Sequence, residues 1–151
     1  MPHHADTGFV GRRRELADLT AWLDAAVGGR GRMVLIGGAP GVGKSRLAGE
    51  LADMARQRDL RVLIGRGWAD VGAPAYWPWV QVLRTYVRAI GPEEARAIAG
   101  PSSEELAYLV PEIGVSPAAR APDEDPSAAR FRLFDAVATF VRDVADRGPM
   151  V

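Results

Sequence analysis

The chain of 151 residues contains no cysteine. That excludes disulfide staples, cysteine-based zinc sites and thiol catalysis, and it fits a reducing compartment. Histidine occurs only twice, as His3 and His4 at the N-terminus. The pair could be a fragment of a metal site, but a frayed end without function is the simpler reading. No apolar run reaches the length needed to cross a bilayer, and no signal-peptide core follows Met1. A cytoplasmic location without membrane contact is the expectation. The formal net charge is zero, so no global field draws the chain to nucleic acid. Lysine is nearly missing as well: Lys44 is the sole one, and arginine supplies the other eighteen of the nineteen basic residues.

What is present reads as an α/β pattern. Leu16, Leu19, Leu23 and Val27 recur at helical spacing over residues 12–27, and Gly28-Gly29 closes that helix. Residues 33–36 are a short all-apolar run, as in a strand buried on both faces of a parallel sheet. A second amphipathic helix begins near Gly43, with Leu47, Leu51, Met54 and Ala55 on one face. Residues 60–64 suggest a second strand, and residues 77–90 a helix broken at Gly91-Pro92. Ser102 and Glu105, ahead of Leu106 and Leu109, have capping-box spacing. Residues 111–126 hold four prolines and the acidic run Asp123-Glu124-Asp125, which reads as an exposed loop rather than a metal site. A long helix over residues 127–147 carries the stripe Phe131, Phe134, Ala138, Val141 and Ala145. Met150-Val151 looks like the start of a third strand. Residues 1–8 read as a disordered leader, and residues 9–151 as one domain.

Between the first strand and the second helix stands Gly38-Ala39-Pro40-Gly41-Val42-Gly43-Lys44-Ser45, a full match to G-x-x-x-x-G-K-[ST]. Phosphate oxygens need several N–H donors converging on one point. A backbone wound into a nest supplies them, and glycine permits the positive φ angles that such a nest requires. The helix that follows adds its unpaired N–H groups and the positive end of its dipole. Lys44 would reach the β and γ phosphates, and the Ser45 hydroxyl would hold Mg²⁺. The only lysine thus falls at the one position that asks for lysine. The bland alternative is a glycine-rich turn that binds nothing. The aromatic group Trp68, Tyr76, Trp77 and Trp79 could stack bases, but with no basic cluster beside it packing is the better account.

Several segments together resemble one family. Phe9-Val10-Gly11-Arg12 with Glu15-Leu16, the loop with Arg46-Leu47 after it, Gly65-Arg66, residues 73–79 and Phe131-Arg132-Leu133-Phe134-Asp135 follow a shared pattern. It is that of AAA-type ATPase modules of the STAND class in large bacterial LuxR-type transcriptional regulators. The resemblance implies a P-loop NTPase fold, a three-layer αβα parallel sheet in the strand order 5-1-4-3-2. Residues 1–151 would supply two full strands and the start of a third, an incomplete core of marginal stability. It implies ATP or ADP as ligand, with Mg²⁺. Gly38, Gly41, Val42, Gly43, Lys44, Ser45 and Arg46 would hold the phosphates, Ser45 the metal, and Val10 and Arg12 the adenine. Arg13 stands where the family often has an acid and is assigned no role. The acids that position Mg²⁺ and water in the family would follow Val151, as would the helix-turn-helix that reads DNA. The expectation is the N-terminal, nucleotide-binding part of a larger switch, with the remainder of the ATPase domain as its partner and no ATP turnover alone. A small P-loop metabolite kinase and an interaction fragment with a vestigial loop are the alternatives.

Overall fold

A computed structural model describes residues 12–67, 72, 74–114 and 125–151. Two compact units divide them: one runs up to Val62 and takes back Pro149–Val151, and the other is Leu63–Gly148.

The first unit is built on two helices, α1 (Arg13–Val27) and α2 (Lys44–Arg56). Gly28 ends α1, its N–H donating to the Asp24 carbonyl at 3.2 Å. The apolar spacing of both helices turns Leu19 and Leu23 of α1, and Leu47, Ala52 and Ala55 of α2, inward. Leu23, Ala55 and Leu60 form the centre of this core, with Leu51, Met54 and Val62 packed on it. Arg58 joins α2 to α1 at its rim, Nε to the Asp24 carboxylate at 3.2 Å.

The second unit is helical: α3 (Trp77–Ile90), α4 (Pro92–Ala99), α5 (Ser103–Ala107) and α6 (Pro126–Ala145), with single 3₁₀ turns at Gly100–Ser102 and Pro111–Ile113. Gly91 stops α3 with φ 92°, a conformation that costs glycine little. The next residue, Pro92, opens α4 rather than a loop, with Glu93 and Glu94 in the first turn. Proline is at home in that position, and acids there face the positive end of the helix dipole. Phe140, Leu83, Leu106, Ile113 and Val110 are the largest fully buried side chains. Tyr86 of α3 meets Phe140 of α6 edge-on, ring centroids 5.8 Å apart.

The expected three-layer αβα sheet is overturned. Among the described residues there is no strand, only an isolated parallel bridge between Arg61 and Met150. Its companion hydrogen bond runs from the Val151 N–H to the Arg61 carbonyl at 2.8 Å. The physical reason is pairing. A strand exists only where a neighbour takes up its N–H and C=O groups, and residues 33–36 meet no such neighbour among the described residues. Nor are they buried on both faces: Met33 and Leu35 are each 87% exposed, while Val34 and Ile36 are half-buried.

Three local expectations also change. The Ser102 side chain makes no capping bond to α5. Residues 111–113 form a 3₁₀ turn that buries Ile113 fully, where a loop was expected. On α6 the buried face is Leu133, Ala136, Val137, Phe140 and Val144, and the expected stripe lies to the side of it, with Phe131 72% and Phe134 51% exposed. The helix is apolar on two faces, so spacing alone allows either to be the core. The leader 1–8 and the acids Asp123 and Glu124 lie outside the described residues.

Candidate phosphate-binding site

The loop from Gly38 to Gly43 meets α2 at Lys44. Gly38, Gly41 and Gly43 have φ of 149°, 79° and 91°. Each lies in the range where an L side chain is strained, so the glycines of the motif are required by the backbone itself. The loop turns back through a bond from the Val42 N–H to the Ala39 carbonyl at 3.4 Å. Gly43 then serves as the N-cap residue of α2. Its carbonyl accepts the Leu47 N–H at 3.0 Å, and it has no side chain with which to cap. The first amides of a helix, here those of Lys44 and Ser45, have no acceptor within the helix. No acidic side chain stands in the first turn to offset the dipole. An anion is what this end of α2 is suited to receive.

The cationic side chains converge on the loop from two directions. Lys44 Nζ donates to the carbonyls of Gly38 and Ala39, both at 2.9 Å. Arg12, reaching across thirty residues of sequence, donates from its guanidinium to the Val42 carbonyl. Ser45 and Arg46 are exposed in the first turn of α2.

A cavity of about 300 Å³ adjoins the loop within this unit. Gly37 and Val42 line it on the loop side, Val34 and Ile36 along the apolar run, and Arg12, Asp18 and Trp22 along α1. Arg12, expected against adenine, lines this cavity together with Asp18 and Trp22, to which the sequence analysis assigns no role. Their signal was available: residues 15, 18 and 22 share one face of a helix and lead from Arg12 along it. Val10, the other expected base contact, lies outside the described residues.

Of the aromatic group, Trp68 also lies outside the described residues. Tyr76 and Trp79 belong to the other unit, where they line an apolar cavity of about 260 Å³ with Phe134 and Val137. Tyr76 meets Phe134 edge-on at 5.6 Å, in keeping with packing rather than base stacking. Among the described residues no group of three or more acidic or histidine side chains could hold a metal ion. No helix is long and apolar enough to cross a membrane, again among the described residues.

Comparison with known proteins agrees with the loop. The family model described as "AAA ATPase domain" matches residues 8–151. Searches of curated proteins and of solved structures give no match. The family match covers nearly the whole chain, and the chain belongs to the AAA ATPase domain family.

Proposed function

We propose that this AAA ATPase domain chain binds the phosphates of ATP or ADP, with Mg²⁺, at the Gly38–Ser45 loop and acts as the nucleotide-binding part of a STAND-class switch. The observation that carries the proposal is the pairing of the uncapped start of α2 with Lys44 bent onto the Gly38 and Ala39 carbonyls. A cation held by loop carbonyls is already positioned to exchange those partners for phosphate oxygens, which are stronger acceptors.

In this reading Gly38, Gly41, Val42, Gly43, Lys44, Ser45 and Arg46 surround the phosphate chain. Backbone amides of the loop and of the first turn of α2 donate to it, and Lys44 offsets its charge. Ser45 contributes a hydroxyl to Mg²⁺, the ion that supplies charge neutralisation between phosphate oxygens. Adenine sits on the side of Val10 and Arg12, a role that the family resemblance assigns. The cavity between Arg12, Trp22 and Val42 offers it space. A switch reports which nucleotide it holds, and a larger regulator of the LuxR type, working in the cytoplasm and reaching DNA through a helix-turn-helix outside these residues, is the setting that the sequence resemblance favours.

The sole lysine makes the proposal directly testable. A lysine-reactive ATP analogue should label Lys44 and no other side chain, and excess ATP should protect it. Labelling that ATP fails to suppress would remove the site.

A further inference from the structure

Arg12 stands just ahead of α1 in the left-handed region, at φ 58° and ψ 29°. A non-glycine residue rarely takes that conformation, so its persistence here needs support from the surroundings. Its carbonyl accepts the Leu16 N–H at 3.0 Å and so starts the bonding of α1. Its guanidinium leaves the helix altogether and donates to the Val42 carbonyl. The same guanidinium would lie 3.9 Å from a Cβ placed on Gly43. The side chain is thus set against a single peptide unit, the one joining Val42 to Gly43.

That peptide is trans. In a trans peptide the C=O and the N–H point in opposite directions. Holding the Val42 carbonyl toward Arg12 therefore turns the Gly43 N–H the other way. Gly43 directly precedes Lys44 and Ser45, whose amides open α2. A glycine on one side of a peptide lets that peptide turn over at little cost, and Val42 is 46% exposed, so water competes for its carbonyl. Without a fixed donor the unit has no reason to keep one orientation.

We infer that Arg12 is a positioning residue for phosphate binding, orienting the Val42–Gly43 peptide so that the Gly43 amide is offered to the phosphates alongside the first amides of α2. The inference rests on the proposed phosphate site and gives Arg12 a role that contact with adenine does not require. Its guanidinium acts on the loop, while its aliphatic stem remains available to the base.

The test uses the ¹⁵N-labelled 151-residue chain as wild type, Arg12→Ala and Arg12→Lys. The Gly43 amide is followed by NMR without ligand, and affinities are measured for pyrophosphate, ATP and GTP. Pyrophosphate carries no base, so it reads the phosphate role alone. Arg12→Ala should displace the Gly43 amide resonance before any ligand is added. It should also weaken pyrophosphate binding on the order of tenfold, the scale of losing one charge-assisted hydrogen bond. Arg12→Lys, which keeps a cationic donor, should recover most of both. If Arg12→Ala does not fold, Arg12→Lys is judged alone: a Gly43 amide in place with pyrophosphate affinity retained upholds the inference, and a displaced amide with undiminished affinity overturns it. Pyrophosphate affinity unchanged in Arg12→Ala overturns it too. So does a loss confined to the ATP:GTP preference, which would make Arg12 a base contact only. A wild-type chain that binds neither pyrophosphate nor ATP would sink the phosphate site itself and the inference with it.

Discussion

The ammonium of Lys44 rests 2.9 Å from the carbonyl oxygen of Gly38, the residue that opens the loop which Lys44 closes. The loop is thereby tied end to end by its own cation, with Ala39 as the second acceptor. Both acceptors are at the surface, so water can replace the lysine there. Lys44→Ala should accordingly change the free energy of unfolding by no more than about 1 kcal/mol, because water can take over both of its surface contacts. Urea unfolding followed by circular dichroism checks this. A much larger loss would mean that the lysine is structural, and that a binding defect in the variant says nothing about phosphate.

A close backbone approach explains why a glycine, Gly65, sits between the second apolar run and the Tyr-Trp-Pro-Trp segment. A Cβ on Gly65 would collide with the Pro78 carbonyl oxygen, and the Arg66 carbonyl beside it accepts the Gln81 amide at 2.9 Å. The start of α3 lies directly on this stretch of backbone. Gly65→Ala forces backbone to move, and the expected cost is about 1–3 kcal/mol, typical of overpacking. Denaturation of the alanine variant measures it; a stability equal to wild type would show that the close approach is dispensable.

The two apolar faces of α6 can be told apart by truncation. Phe140 is 2% exposed and packs edge-on against Tyr86, whereas Phe131 is 72% exposed. Phe140→Ala should destabilise by about 3–5 kcal/mol, the range for emptying an aromatic site in a core. Phe131→Ala should stay within about 0.5 kcal/mol, as surface changes do. Melting curves of the two variants side by side decide the matter, and the reverse ranking would restore the face that helical spacing alone suggested.

The loop motif and the helices are legible in the sequence and the sheet is not, and the reason is the range of the interactions involved. The loop is local. Its glycines answer to φ angles within a few residues, and its helix starts at the motif, so Gly38 to Ser45 could be read without knowing what packs around them. Helices α1 to α3 and α6 were legible for the same reason, within a residue or two at their ends. A sheet is non-local: the apolar runs at 33–36 and 60–64 state a preference, but pairing depends on which other segments come alongside. Here that is Met150 beside Arg61 and nothing more among the described residues. The α6 stripe failed differently. Phe131 and Phe134 are more hydrophobic to the eye than Ala136 and Val137, yet burial follows the direction of α4 and α5, which no periodicity within α6 contains. The family pattern singles out Arg12, but its partner in the structure, the Val42 carbonyl, has no signal in the sequence, because a bond across thirty residues leaves no trace in local spacing.

The central claim is that the Gly38–Ser45 loop binds the phosphates of a nucleotide, and the most direct measurement is calorimetric titration of wild type and Lys44→Ala with ATP and with adenosine. Lys44 acts on phosphate as a point charge, so its removal should weaken ATP binding on the order of tenfold to a hundredfold, the scale of a charge-assisted contact. Adenosine binding should be unaffected by the same change. Equal losses for ATP and adenosine, or an ATP affinity that Lys44→Ala leaves intact, would contradict the account.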